Sequence, residues 1–360
     1  MPTILGIRTL RELLEDSVIH EPDDLLNHAA YADCLLEEGD PRGQFIQIQL
    51  SLERNDLTFH ERTELIKWQQ TLLLDHCREW LGDLADILLD VRTYDEYRFP
   101  FRRGWIDELH LQQMSPELQM VLPFAPEIRL MRKLTIRDSH GASCLFASPY
   151  LTNLRFMSFG ELRGANMGGN IQCELLLPIF ARTPRLETLH LFEQRWSFEP
   201  LFTVAEVPPI RFLSLHGNFD ASLEAFCINP AWRNLEVLSL AEQEGYTPLT
   251  TLRLEPLFQS TNFPKLRRVV LIGAEIGSYG CTRLVQTGFP SRIEELVLAN
   301  CELNDDSIER LCQLKLHGKL KRIDVANFPG HRNHLNRVTR QAVRKAQKAG
   351  LPITIEGELS

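Results

Sequence analysis

The chain is predicted to be an α/β repeat solenoid. A parallel β-sheet forms its concave face, helices and loops form its convex face, and a small all-α domain precedes it. Three observations predict this. The pattern L-x-x-L-x-L recurs nine times between residues 104 and 330, at spacings of 23 to 32 residues. All 27 of its defining positions are apolar in a chain that is 44% hydrophobic overall. Residues 1–98 lack the pattern and instead carry apolar residues at helical spacing.

In that N-terminal stretch, Ile7, Leu10 and Leu14 predict one helix and Leu26, Ala30 and Cys34 a second, ended by Gly39-Asp40-Pro41. Phe45, Ile48 and Leu52 predict a third, and Leu65, Trp68 and Leu72 a fourth running towards Trp80. Gly39 suits a helix C-cap and Pro41 the opening of the next helix. Asp33 or Asp40 is expected to pair with Arg42 or with Arg102 and Arg103.

The repeats begin at Ile106, Met131, Leu154, Leu186, Ile210, Leu235, Leu266, Ile293 and Leu320. Alternate side chains of a strand face opposite sides, so the fourth and sixth residues of each repeat point into the core. One repeat cannot bury its apolar face alone, and stacked neighbours bury a continuous one. Between strands, Ile171, Leu175 and Ile179 predict a convex helix. Ile308, Leu311 and Cys312 predict another, behind an Asn304-Asp305-Asp306 start. A basic amphipathic helix is expected at 333–349, with Leu335, Val338, Ala342, Ala346 and Ala349 on one face. Ile353 and Ile355 then fill the fourth and sixth positions of a tenth, closing strand.

This pattern resembles the leucine-rich-repeat family in its longer, helix-bearing type. It departs at the ninth repeat position, where only Asn218 and Cys301 match the family's Asn or Cys. Tyr31-Ala32-Asp33-Cys34-Leu35, followed by Glu38, Gly39, Asp40, Pro41, Arg42 and Gly43, resembles the bacterial repeat-companion domain, with Cys34 where that family has tryptophan. Phe101-Arg102-Arg103-Gly104-Trp105 is similar to that family's link into the first repeat. The companion domain has no established activity, so this resemblance implies architecture and bacterial origin. The domains read as 1–98, a helical cap, and 99–360, the solenoid with its basic helix and closing strand.

Composition narrows the function classes. No apolar run approaches the roughly 18–20 residues of a membrane span, and the N-terminus is acidic where a signal peptide is apolar. The protein is therefore expected to be cytoplasmic. Eight cysteines, none spaced as CxxC, are expected to be small buried hydrophobes. The net charge of −9 is divided: residues 1–98 carry 21 acidic and 9 basic side chains, and 315–348 carry 1 acidic and 10 basic. These ends are either solvated faces or steer different partners. The acidic total argues against nucleic acid, leaving a basic C-terminal contact with an anionic surface as a minor reading.

No catalytic signature is present: there is no GxSxG, HExxH or Walker A sequence. The glycine-rich 164–170 lacks the lysine of a phosphate cradle, and His331 with His334 makes half a zinc site at most. The expectation is a protein that is not an enzyme, with no cofactor and no bound metal. What remains is the outward face of the sheet. Its centre is predicted to carry Phe156, His190, Phe192, Phe212 and His216, followed by small apolar residues such as Ala241, Val297 and Ala299. An apolar patch there marks a contact site unless a loop, such as 192–207, covers it. The leading expectation is an adaptor that binds a protein partner through this face. The alternative is an enzyme regulator, or an enzyme with a cryptic site in the acidic N-terminal domain.

Overall fold

Strands recur where the six-residue pattern recurs. The computed structural model describes residues 8–92, 96–160, 171–219, 223–242, 248–312, 319–326, 337–348 and 353–356. The glycine-rich 164–170 and the pair His331 and His334 lie outside these residues. Eleven strands share one sheet, ordered almost entirely as they occur in the chain.

The chain divides into two compact units. The first comprises residues 1–136, 144–156 and 182–185. It opens with helices α1 (Leu10–His20), α2 (Leu25–Glu37), α3 (Pro41–Leu52), α4 (Phe59–Leu81) and α5 (Ala85–Leu88). Strands β1 (Tyr97–Arg98), β2 (Phe101–Arg102), β3 (Trp105–Ile106) and β4 (Glu108–Gln113) follow, then α6 (Pro116–Val121) and the greater part of β5 (Lys133–Asp138). Strand β6 (Phe156–Phe159) begins in this unit and continues in the other. The sequence pattern did not signal β1, which pairs antiparallel with β4, or the β2–β3 hairpin. Each is two residues per strand, too short for any periodicity to show.

Side-chain caps start α1, α2, α3 and α4. Thr9 and Thr58 form capping boxes with Glu12 and Glu61. Asp40 caps α3, whose first residue is Pro41, and Gly39 takes φ +77°. Helix faces differ from the sequence expectation. On α2 the buried residues are His28, Tyr31, Ala32, Cys34 and Leu35, and Leu26 and Ala30 are exposed. Leu10 and Trp68 also face solvent. Tyr31, Ala32, Leu35 and Ile46 instead form a cluster with Val18, Trp105 and Leu130.

Arg42 lies over both Trp80 and Trp105, 5.8 and 5.2 Å from the ring centroids, and Arg129 stacks on Trp105 at 5.0 Å. Arg102 and Arg103 pair with Glu53, not with Asp33 or Asp40 as the sequence suggested. Asp33 accepts from Gln47, and Asp40 pairs with Arg11. The Arg103 guanidinium, first of all, holds the Glu53 carboxyl down at about 2. Asn153 donates to the carbonyls of Ile19 and Arg129, and Arg185 to that of His20. These bonds fasten α1 to the first repeats.

The second unit comprises residues 137–143, 157–181 and 186–360. Its helices are α7 (Cys173–Phe180), α8 (Glu199–Thr203), α9 (Leu223–Ile228), α10 (Thr251–Gln259), α11 (Gly277–Thr287), α12 (Asp305–Cys312) and α13 (Arg337–Lys348). Its strands are β7 (Thr188–Gln194), β8 (Phe212–Gly217), β9 (Val237–Glu242), β10 (Arg268–Ile272), β11 (Glu295–Ala299), β12 (Arg322–Ala326) and β13 (Ile353–Glu356). Each of these strands pairs parallel with the next, fourth position to fourth position, from Leu189 through Leu213, Leu238, Val269, Leu296 and Ile323 to Ile353. All seven of these side chains are buried, so the closing strand sits in the expected register. Successive helices pack on one another in the same order, from α7 to α13.

The repeat extends to the backbone. From Glu187 to Glu294 the carbonyl of the second position accepts two N–H groups from the next repeat, as Glu187 does from Arg211 and Phe212, and Arg211 from Glu236 and Val237. A carbonyl has two lone pairs, so both bonds are satisfied at one atom. The same positions alternate in charge through Glu187, Arg211, Glu236, Arg267, Glu294 and Lys321. Arg211 lies 2.6 Å from Glu236 and 3.5 Å from Glu187, and Lys321 lies 2.9 Å from Glu294.

On the convex side Ile308 and Leu311 are buried as expected, with Asn304 accepting from Ser307 N to cap α12. On α7 the buried face is Cys173, Leu176, Ile179 and Phe180, and Leu175 is exposed, against expectation. On α13 it is Val343 that is buried; of the residues expected on its inner face, Leu335 and Ala349 lie outside the described residues, and the side chains of Val338, Ala342 and Ala346 do too.

Two mutations test this packing. Leu238→Ala removes a fully buried side chain and is expected to cost about 2–5 kcal/mol. Its half-buried neighbour Val237, changed to alanine, should cost about 1 kcal/mol or less. Equal losses in denaturant unfolding would contradict the register. A Cβ on Gly43 would lie 2.5 Å from the Ala32 carbonyl oxygen. Gly43→Ala is therefore expected to destabilise by about 1–3 kcal/mol, read as a lowered thermal midpoint. An unchanged midpoint would mean that α2 and α3 do not meet this closely.

Candidate functional site

The alternation of β7 and β8 sends His190 and Phe192, Phe212 and His216 to the sheet face opposite the leucine core. Thr188 pairs with Phe212 and His190 with Ser214. The register then shifts between Leu191 and Gln194, so that Gln194 meets Gly217. This bulge sets Phe192 between two imidazoles. Its ring lies 5.4 Å from His190 and 4.7 Å from His216, edge to face in both cases. That is the preferred geometry of ring pairs. Behind it Gly160, at φ +85°, lets the chain approach the Phe192 carbonyl, where a Cβ would stand at 2.3 Å.

His216 Nε2 and Ser239 Oγ lie 3.4 Å apart and share a hydrogen bond. Burial holds both histidines neutral. Burial lowers His190 to about 4, and burial together with the neighbouring His190 lowers His216 to about 3. A binding event tuned near the usual 6.5 is therefore not what these imidazoles provide in the free protein.

Phe212 is half-buried, with the Arg211 guanidinium 5.6 Å from its ring. Phe156 belongs to the first unit, where Lys133 Nζ stands 5.2 Å from its ring and pairs with Glu108. Of the five residues singled out by sequence, the structure brings His190, Phe192 and His216 into contact. Phe212 lies across from Thr188, and Phe156 has its own charged surroundings.

The face is less open than the sequence implied. His216 is only 8% exposed, and Ala241, Val297 and Ala299 are buried. The accessible part of the second unit's face is the half-buried set of Thr188, His190, Phe192, Phe212, Ser214 and Val237, continued by Val270 and Ile272. Cys301, which the sequence placed at the ninth repeat position, is fully buried there. Its buried thiol donates to the carbonyls of Leu271 and Ala299, doing in the turn what an asparagine does elsewhere. Burial raises the thiols of Cys173, Cys227 and Cys281 to about 12, so they behave as small apolar groups. Among the described residues, no group of three or more His, Cys, Asp or Glu is placed to hold a metal. No helix among them is long and apolar enough to cross a membrane.

No family model matches the chain, and no curated protein matches it. Solved structures that are similar include a Bacteroides fragilis structural-genomics protein, 13% identical with a TM-score of 0.48, covering 84% of this chain and 85% of that one. An internalin of Listeria monocytogenes is 11% identical with a TM-score of 0.28, covering 65% of this chain and 56% of that one. The fold described here rests on the chain's own strand pairing.

The neutral histidines make stability depend on pH in a defined sense. Both have folded pKa values below the unfolded value of about 6.5. Below pH 6.5 the unfolded chain therefore binds protons that the folded chain does not. Their contribution is complete above that pH and is lost as pH falls towards about 4 and 3. By pH 5 the loss is expected to be on the order of 1–2 kcal/mol per histidine. A double variant, His190→Asn with His216→Asn, should show a smaller fall in unfolding midpoint between pH 7 and pH 5. Equal falls in variant and parent would show that these residues are not held neutral.

Proposed function

We propose that the chain is a non-catalytic protein-binding module of leucine-rich-repeat type, which engages a partner protein through the sheet face of its repeats. The observation that carries this reading is the ring cluster of His190, Phe192 and His216, with Phe212 on the next strand. Aromatic side chains supply large contact area with few rotatable bonds and dominate many interface energies. Here the bulge and the Gly160 contact fix Phe192 in place, so little freedom is lost on binding. Val237, Val270 and Ile272 extend the surface along neighbouring strands. In this reading residues 1–98 cap the first repeat, as a companion domain would, and the protein works in the cytoplasm.

The test begins with affinity purification of the partner. Phe192→Ala and Phe212→Ala are then compared with Glu108→Ala and Arg322→Ala. Loss of a central aromatic anchor is expected to weaken binding by about 2 kcal/mol or more, and loss of a rim charge by under about 1 kcal/mol. Circular dichroism melting must show each variant folded. Folded phenylalanine variants that bind as tightly as the parent would remove the sheet face as the site.

A further inference from the structure

A hollow of about 450 Å³ opens in the second unit where β5 and β7 end. Ser139, His140 and Ser143 line it just beyond β5, Gln172 and Leu175 at the start of α7, and Trp196 just beyond β7. Three features set it apart. Trp196 and Leu175 are each 46% exposed, and both face this one hollow. Ser139, by contrast, is 2% exposed, which gives the hollow a polar group at depth. No Asp, Glu, Lys or Arg is found among the described residues that line it. Its size falls within the roughly 300–1,000 Å³ of ligand sites. It shares no residue with the cluster on the sheet face.

We infer that this hollow binds a neutral saccharide. The described lining residues carry no Asp, Glu, Lys or Arg, so they offer an ionised ligand no counter-charge to replace its lost hydration. An indole presents a flat apolar surface, whose π-face attracts the polarised C–H groups on one side of a pyranose ring. The Ser143 hydroxyl, the Gln172 amide and the His140 imidazole each carry both donor and acceptor capacity. A sugar hydroxyl is likewise both donor and acceptor, so the wall and the ligand match in kind. Leu175 adds apolar surface beside the indole.

The full-length protein is titrated with maltohexaose, cellohexaose and chitohexaose, and with adenosine as an uncharged planar ring. Binding is read by calorimetry and tryptophan fluorescence. At least one saccharide is expected to bind saturably. Trp196→Ala should weaken that binding about tenfold or more, as loss of a stacking ring does elsewhere, and Trp196→Phe less. Leu175→Glu, which places a charge in the hollow, should weaken it too. Trp196 is exposed, so the thermal midpoint should not change. Absence of saturable binding to every saccharide at millimolar concentration overturns the inference. So does binding that survives Trp196→Ala, or adenosine binding more tightly than every saccharide.

Discussion

The structure depends on one constraint: each buried fourth-position side chain must stack on the same position of the next strand. From Leu189 to Ile353 the pairing holds that register across seven parallel strands. A slip of one residue would turn every leucine of a strand to the opposite face. The chain between strands has no such obligation. Repeat spacings of 23 to 32 residues are therefore absorbed on the convex side, by helices from the five residues of α8 to the twelve of α13. Regularity is confined to where burial enforces it.

The same constraint shapes the candidate site. Once Leu189 and Leu191, Leu213 and Leu215 are committed to the core, His190, Phe192, Phe212 and His216 are committed to the other face. What they do there depends on the bulge in β7 and on Gly160, which together move Phe192 between the imidazoles. Packing against the ring removes water from both histidines and leaves them neutral, so the cluster acts as an apolar surface with hydrogen-bonding edges.

The strands were legible in the sequence because their period is tied directly to burial. Nine repeats and the closing strand at Ile353 followed from counting alternate apolar residues. The helical faces were harder. On α2, leucines stand on both sides, and the structure exposes Leu26 and buries His28, whose Nε2 bonds to the Pro22 carbonyl. A histidine satisfied by a backbone carbonyl six residues earlier leaves no mark in hydropathy. The bulge in β7 was equally silent, since Phe192 looks like any outward strand residue. The second-position charges could have been read: their signs alternate without exception from Glu187 to Lys321.

Those charges answer a question that the core leaves open. The buried column is built from near-identical aliphatic residues, each contributing about 1.5–3 kcal/mol by burial. Such residues stabilise a stack strongly but distinguish poorly between one neighbour and another. Exposed ion pairs contribute under about 1 kcal/mol each and add little to the total. Their sign, however, depends on which repeat lies alongside. In sequence order Arg211 has Glu187 on one side and Glu236 on the other. If a repeat were skipped, Glu187 would meet Glu236, or Arg211 would meet Arg267, at positions whose carbonyls and N–H groups are already fixed by the double backbone bond. Like charges at that spacing repel. Burial therefore supplies the stability of the stack, and the alternating charges supply part of its order.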